Sequence, residues 1–183
     1  MNDRYGPPMP DWKARVQKEH SSDLESGETL REATFFQGRG TLAGQLTFGM
    51  VEGLGRTMSG KGSVAGQIGR RVAGPAGEAA RKGYNTFEGS LAAQLPDDKG
   101  VVAVTDRRLL VFGYSQGVFK TRITDPVASI PLQDLHGWFY RPGKLAGVVD
   151  LIFSDGSTVG IEIGRANKPD RFAADLGIPS EVD

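Results

Sequence analysis

Two glycine-rich stretches come closest to phosphate chemistry. Gly55-Arg-Thr-Met-Ser-Gly-Lys61 nearly spells a P-loop, whose backbone N–H groups cradle a polyphosphate while its lysine reaches the outer phosphates. Gly62 stands where a Ser or Thr must bind magnesium, and no buried strand leads into the motif. Gly38-Arg-Gly-Thr-Leu-Ala-Gly44 follows an apolar run, as a dinucleotide fingerprint does, yet the rest of the chain pairs as hairpins and supplies no βαβ unit. In both stretches the glycines read as flexibility or close packing. The two histidines, His20 and His136, are the available imidazole bases or metal ligands and stand far apart. Asp150 and Glu162 fall on neighbouring strands, the residue types a paired-carboxylate mechanism needs, and read more simply as solvent-facing acids of an amphipathic hairpin. There is no cysteine, hence neither a thiolate metal site nor a disulfide framework, which fits a reducing cytoplasm. The expectation is a non-enzymatic chain with no cofactor and no metal.

Charge is the stronger clue. The formal total is zero, but residues 1–37 carry a net charge of −2, residues 38–83 carry +5 and residues 84–183 carry −3. A basic segment inside an acidic body points to an anionic partner, because local charge density matters more than the total. Its candidate contacts with an anionic surface are Arg56, Lys61, Arg70, Arg71, Arg81 and Lys82. The same segment holds 13 of the 26 glycines, with apolar residues still recurring at helical spacing as Leu42, Leu46, Met50 and Leu54, and again as Val64, Ile68 and Val72. Gly49 and Gly53, and Gly62 and Gly66, stand four apart, a spacing that lets two helices approach closely and offers a face for partner packing or homo-oligomerisation. A membrane span is excluded there, since Arg39 and Glu52 bracket 12 uncharged residues where roughly 20 are needed. Weak amphipathic helices on a surface and plain disorder both fit the composition. A further candidate lies downstream, where Trp138-Phe-Tyr140 precedes Arg141. At alternating spacing the core claims Trp138 or Phe139 and leaves Tyr140 and Arg141 as rim contacts.

The elements that position these residues are mostly short strands. Asp11 caps a helix from Trp12 to about His20, with Trp12 and Val16 on one face. A first strand runs from Thr29 to Phe36 and ends at Gly38. Beyond Tyr84 the pattern predicts strands at Phe87–Gln94, Val101–Val104, Leu109–Phe112, Ala128–Leu132, Gly137–Tyr140 and Val148–Phe153. At Ser154-Asp-Gly156, a three-residue loop with Gly156 left-handed pairs Leu151 with Val159 and Val149 with Ile161, matching apolar with apolar, whereas a two-residue turn would not. Asn167 and Asp170 suit the start of a last helix carrying Phe172, Ala173 and Leu176, stopped by Gly177. The N-terminus lacks the layout of a signal peptide.

That order, with Val102-Ala-Val-Thr-Asp-Arg-Arg-Leu-Leu-Val-Phe112, Ser129-Ile-Pro-Leu-Gln-Asp-Leu135, Val149-Asp-Leu-Ile-Phe-Ser-Asp-Gly156 and Arg171-Phe-Ala-Ala-Asp-Leu176, resembles the bacterial pleckstrin-homology-like domains, related in shape to GRAM domains and the YokE-like group. The resemblance implies an α+β, mainly β fold: a half-open antiparallel barrel of about seven strands, one end plugged by the C-terminal helix. On that template residues 28–37 plus 84–178 form the domain, 38–83 a glycine-rich insertion after the first strand, 1–27 an N-terminal tail with its helix and 179–183 a tail. It also implies a binding module for lipid headgroups, peptides or proteins. The scattered basic residues of the insertion favour diffuse attraction to an anionic lipid surface, peripheral at the inner face of the plasma membrane, over stereospecific headgroup binding. The alternative is a protein partner docked on the insertion. Nucleic acid ranks third, since the charge is modest and no recognition motif accompanies it.

Overall fold

Among the described residues seven antiparallel strands in the order β4-β3-β2-β1-β7-β6-β5 make one sheet, so β1 is the seam between two sequential meanders. The structure is a computed structural model and describes residues 10–38, 85–117 and 121–177. The strands are β1 (Leu30–Gly38), β2 (Lys99–Thr105), β3 (Arg108–Gln116), β4 (Thr121–Pro131), β5 (Leu135–Arg141), β6 (Ala146–Phe153) and β7 (Thr158–Gly164). Among the described residues two helices flank them, α1 (Trp12–Glu19) and α2 (Pro169–Asp175). The mainly β expectation holds at this level.

Alternation decides what each strand buries. Phe36, Val102, Val104, Leu109, Val111, Ile130, Leu135, Val149, Leu151, Ile161 and Ile163 point to one side, where Phe172, Ala173 and Leu176 of α2 join them. All seven strands contribute to this cluster. The intervening residues Val101, Ala103, Leu110 and Phe112 point the other way and are also buried, because Trp12 and Val16 of α1 cover them. That is why β2 and β3 read as continuous apolar runs rather than as alternating strands. The cap of α1 is as expected: the Asp11 carboxylate accepts the Ala14 N–H at 2.9 Å. Trp12 stacks on Phe35 with ring centroids 5.5 Å apart and meets Tyr114 edge-on at 5.9 Å.

The β6–β7 hairpin has the expected apolar-matched register, Leu151 opposite Val159 and Val149 opposite Ile161, with Gly156 at φ 79°. Other expectations are corrected. Residues 87–94 form turns and a 3-10 turn at Ala92–Gln94 instead of a strand. Gly89 is left-handed at φ 78°, and the buried Ala92 and Leu95 recur three apart, a helical rather than a strand period. The strand β4 begins at Thr121, before the apolar pattern does, and follows β3 past irregularities near Phe112. At α2 the residue before Pro169 is Lys168, left-handed at φ 50°, and Asn167 instead accepts the Trp12 indole N–H at 3.3 Å. Lysine carries a steric cost in that region that glycine does not. Lys168→Gly is therefore expected to raise unfolding stability by roughly 0.5–1 kcal/mol in a denaturant titration, net of glycine's greater chain entropy.

Candidate functional site

The long connection between β1 and β2 leaves and rejoins the sheet at one rim. At its start Gly38 sits opposite Ile161 of β7, and the Gly38 N–H donates to the Asp98 carbonyl at 2.8 Å. On return, the Asn85 N–H donates to the Thr158 hydroxyl at 2.9 Å, the Asn85 carbonyl accepts the Thr158 N–H at 3.0 Å, and the Asn85 amide reaches the Gly156 carbonyl at 2.9 Å. The next turn is fastened by the β6–β7 loop. Asp155 accepts the Leu91 N–H at 2.8 Å and the Ser157 N–H at 2.9 Å, and the Ser157 hydroxyl accepts the Ala92 N–H at 3.1 Å. Hydrogen bonding from Ser157, then from the Leu91 N–H, holds the Asp155 carboxyl below the usual carboxylate range. Ile161 and Thr158 lie three residues apart on β7, so the two feet of the connection stand about 10 Å from each other.

Beside this rim is an open cavity of about 420 Å³, lined by Thr86, Leu95, Pro96, Asp97 and Val127 among others. Val127 is 55 % exposed, and Phe87, next to Thr86, is 48 % exposed. The rim thus combines an apolar shelf with the base of the basic connection.

The residues singled out in the sequence fall into two groups. Arg56, Lys61, Arg70, Arg71, Arg81, Lys82, Gly49, Gly53, Gly62 and Gly66 lie outside the described residues, as do Gly55–Lys61 and all but the first residue of Gly38–Gly44. Tyr140 and Arg141 lie at the end of β5, where Tyr140 packs half-buried against the core beside Trp138 and Phe139 is the ring turned outward. Arg141 forms an ion pair with Asp150 at 2.6 Å. Asp150 faces Gly160 while Glu162 faces Val148, so the two carboxylates are offset by two pairs and do not oppose each other. His20 is buried against Phe112, with Nδ1 2.9 Å from the Asp23 carboxylate and Nε2 3.4 Å from the Ile123 carbonyl, and His136 is exposed on β5. No group of three or more His, Asp or Glu side chains able to hold a metal occurs among the described residues. No helix among them is long and apolar enough to cross a membrane.

Sequence reasoning missed what the Thr105-Asp-Arg-Arg108 turn does. The Thr105 hydroxyl accepts the Arg107 and Arg108 N–H groups and closes the turn. Arg108 forks onto Glu28 at 2.9 and 2.7 Å, donates to the Asp23 carbonyl at 3.0 Å and reaches the Ser129 hydroxyl at 3.1 Å. Arg107 pairs with Glu25 at 3.3 Å, and Asp106 accepts the Thr29 N–H at 2.8 Å. The turn therefore ties the α1–β1 connection to the β2–β3 hairpin. Glu28 is held at about pKa 2, chiefly by the Arg108 hydrogen bonds working against its burial, with help from Thr105 and the Glu25 N–H. An acidic patch at Asp23–Glu28 preceding a strand was the available signal, but its partner lies 80 residues away.

Comparison with the models of known protein families, with curated proteins and with solved structures finds no match to this chain.

Proposed function

We propose that the chain is a non-enzymatic binding module of pleckstrin-homology-like architecture whose basic glycine-rich connection makes peripheral contact with anionic membrane at the cytoplasmic face. One observation carries the reading: the segment of net charge +5, residues 38–83, lies within the connection between β1 and β2, and the residues at its two ends, Gly38 and Asn85, are fastened to one rim of the sheet. Charge gathered on one loop of a small β-domain suits a broad anionic surface better than an enclosed ligand. The strand order and the helix packed on the core are what a half-open barrel with a plugged end requires, and they support the architectural part of the reading.

Flotation of the full chain with neutral and with anionic liposomes, at low and moderate salt, tests this. Binding to the anionic vesicles alone, weakening with salt, is the expected result. At about 1 kcal/mol for each basic residue near the surface, changing Arg70, Arg71, Arg81 and Lys82 to Gln reduces vesicle affinity by more than about tenfold. Binding unchanged by that substitution overturns the membrane role of the connection and moves it to protein assembly.

A further inference from the structure

The end of the sheet opposite that rim carries a different surface. There the β5–β6 turn, Pro142-Gly-Lys-Leu145, and the β7–α2 turn, Arg165–Lys168, are fastened side by side. The Arg165 N–H donates to the Leu145 carbonyl at 3.0 Å, and the Arg165 guanidinium reaches the Lys144 carbonyl at 3.5 Å. A Cβ at Gly143 would overlap the Ala146 carbonyl, so the first turn is tight and holds Leu145 outward. Leu145 is 61 % exposed, the highest value among the large apolar side chains of the described residues that stand out to solvent.

The two turns carry three exposed cations. Arg15, Arg107, Arg108, Arg141 and Arg171 each form an ion pair with a carboxylate, whereas Lys144, Arg165 and Lys168 form none among the described residues. The acids of this end are Asp150, joined to Arg141, Glu162 on β7, and Asp170 in the first turn of α2. An exposed apolar side chain on a turn, with three exposed cations on that turn and on the turn fastened to it, matches the layering of an anionic bilayer: phosphates at the level of the long-stemmed cations and acyl chain just beneath.

We propose that this tip is a lipid-contact wedge, in which Leu145 enters the headgroup region while Lys144, Arg165 and Lys168 engage lipid phosphates. A protruding turn with its cations spread over two loops suits a deformable, laterally uniform surface better than an acidic peptide, which needs a groove or a fixed array of partners. The wedge does not depend on the connection, because the seven residues of β7 separate the two ends by about 20 Å.

The absence of cysteine allows one probe per molecule. Full chains carrying Leu145→Cys or Ser154→Cys, each labelled with a polarity-sensitive fluorophore, are titrated with vesicles of phosphatidylcholine, vesicles of equal phosphatidylcholine and phosphatidylglycerol, and soluble polyglutamate. The expected result is a blue shift at position 145 with the anionic vesicles alone, kept when the four basic residues of the connection are changed to Gln and lost when Lys144, Arg165 and Lys168 are. In the unlabelled chain Leu145→Ser lowers vesicle affinity by about tenfold, the scale of burying one leucine. A silent probe at 145 with anionic vesicles overturns the wedge whether or not the protein floats. An equal shift with polyglutamate, or a shift at 154 in place of 145, overturns it as well, the former assigning the tip to an acidic polypeptide. Failure of the connection alone leaves the signal at 145 intact, so the two readings fail separately.

Discussion

Arg108→Ala is expected to destabilise the fold by about 3–5 kcal/mol, because it leaves the Glu28 carboxylate buried without its counter-charge. The Glu28 side chain is 0 % exposed and Arg108 17 %, and the guanidinium holds the carboxylate with both arms of its fork. Arg108→Lys keeps the charge but not the fork and falls between the alanine variant and the wild type. The partner gives the pH signature. Glu28 is lowered from 4.5 to about 2, so the stability it contributes is complete above pH 4.5 and is lost as the pH falls through 2. The size of that contribution is about 3 kcal/mol, from a shift of roughly two and a half pKa values. Denaturant titrations of wild type and Glu28→Gln across pH check this directly: the gap is widest at neutral pH, narrows below pH 4.5 and nearly closes at pH 2. A gap that does not change with pH would show that the pair is not what holds the α1–β1 connection to the hairpin.

Trp12→Ala is expected to cost about 3–5 kcal/mol, in the range of large-to-small changes at packed aromatic sites. Trp12 is 7 % exposed and makes contact in three directions: stacking on Phe35, an edge against Tyr114 and a hydrogen bond to Asn167. Its loss loosens α1, which covers the second buried face of β2 and β3. The distinguishing readout is surface rather than stability alone. Val101, Ala103, Leu110 and Phe112, each at most 1 % exposed, form the face that α1 covers, so binding of a hydrophobic dye rises in native buffer. A variant that loses stability without taking up dye would place the effect on the Phe35 and Tyr114 contacts and leave α1 docked.

How much of this was legible in the residues depends on how far each interaction reaches along the chain. The Asp11 cap, the register of the β6–β7 hairpin and the stop at Gly177 are each written within a few residues, and all three are found. The first half of β4 has Ile123 as its one buried apolar residue and is recruited by pairing with β3. Residues 87–94 have the apolar content of a strand but are bent by bonds to Asp155 and Ser157, more than 60 residues away. Arg108 is the same case, since a basic turn looks like a surface feature until its distant acids are placed beside it. Of the proposed sites, the basic connection was visible as a charge imbalance because charge needs no fold to be counted. The Leu145 tip was not, because two loops 20 residues apart make it and neither is unusual alone.

The seam position of β1 sets the order in which the chain becomes safe. Among the described strands β1 is the earliest in the chain, yet its two partners, β2 and β7, follow after long intervals, and Ile161 arrives more than a hundred residues after Gly38. At about 5–20 residues per second, a ribosome exposes an unpaired β1 for on the order of ten seconds. Thr34-Phe-Phe36 is the kind of segment that recruits other nascent chains during such a wait, and Glu28, Arg31 and Glu32 stand immediately before it as charged gatekeepers. Once β7 and α2 are made, Glu32 acquires Arg171 at 3.0 Å, so the residue that guards the nascent strand becomes a fastening of the finished domain.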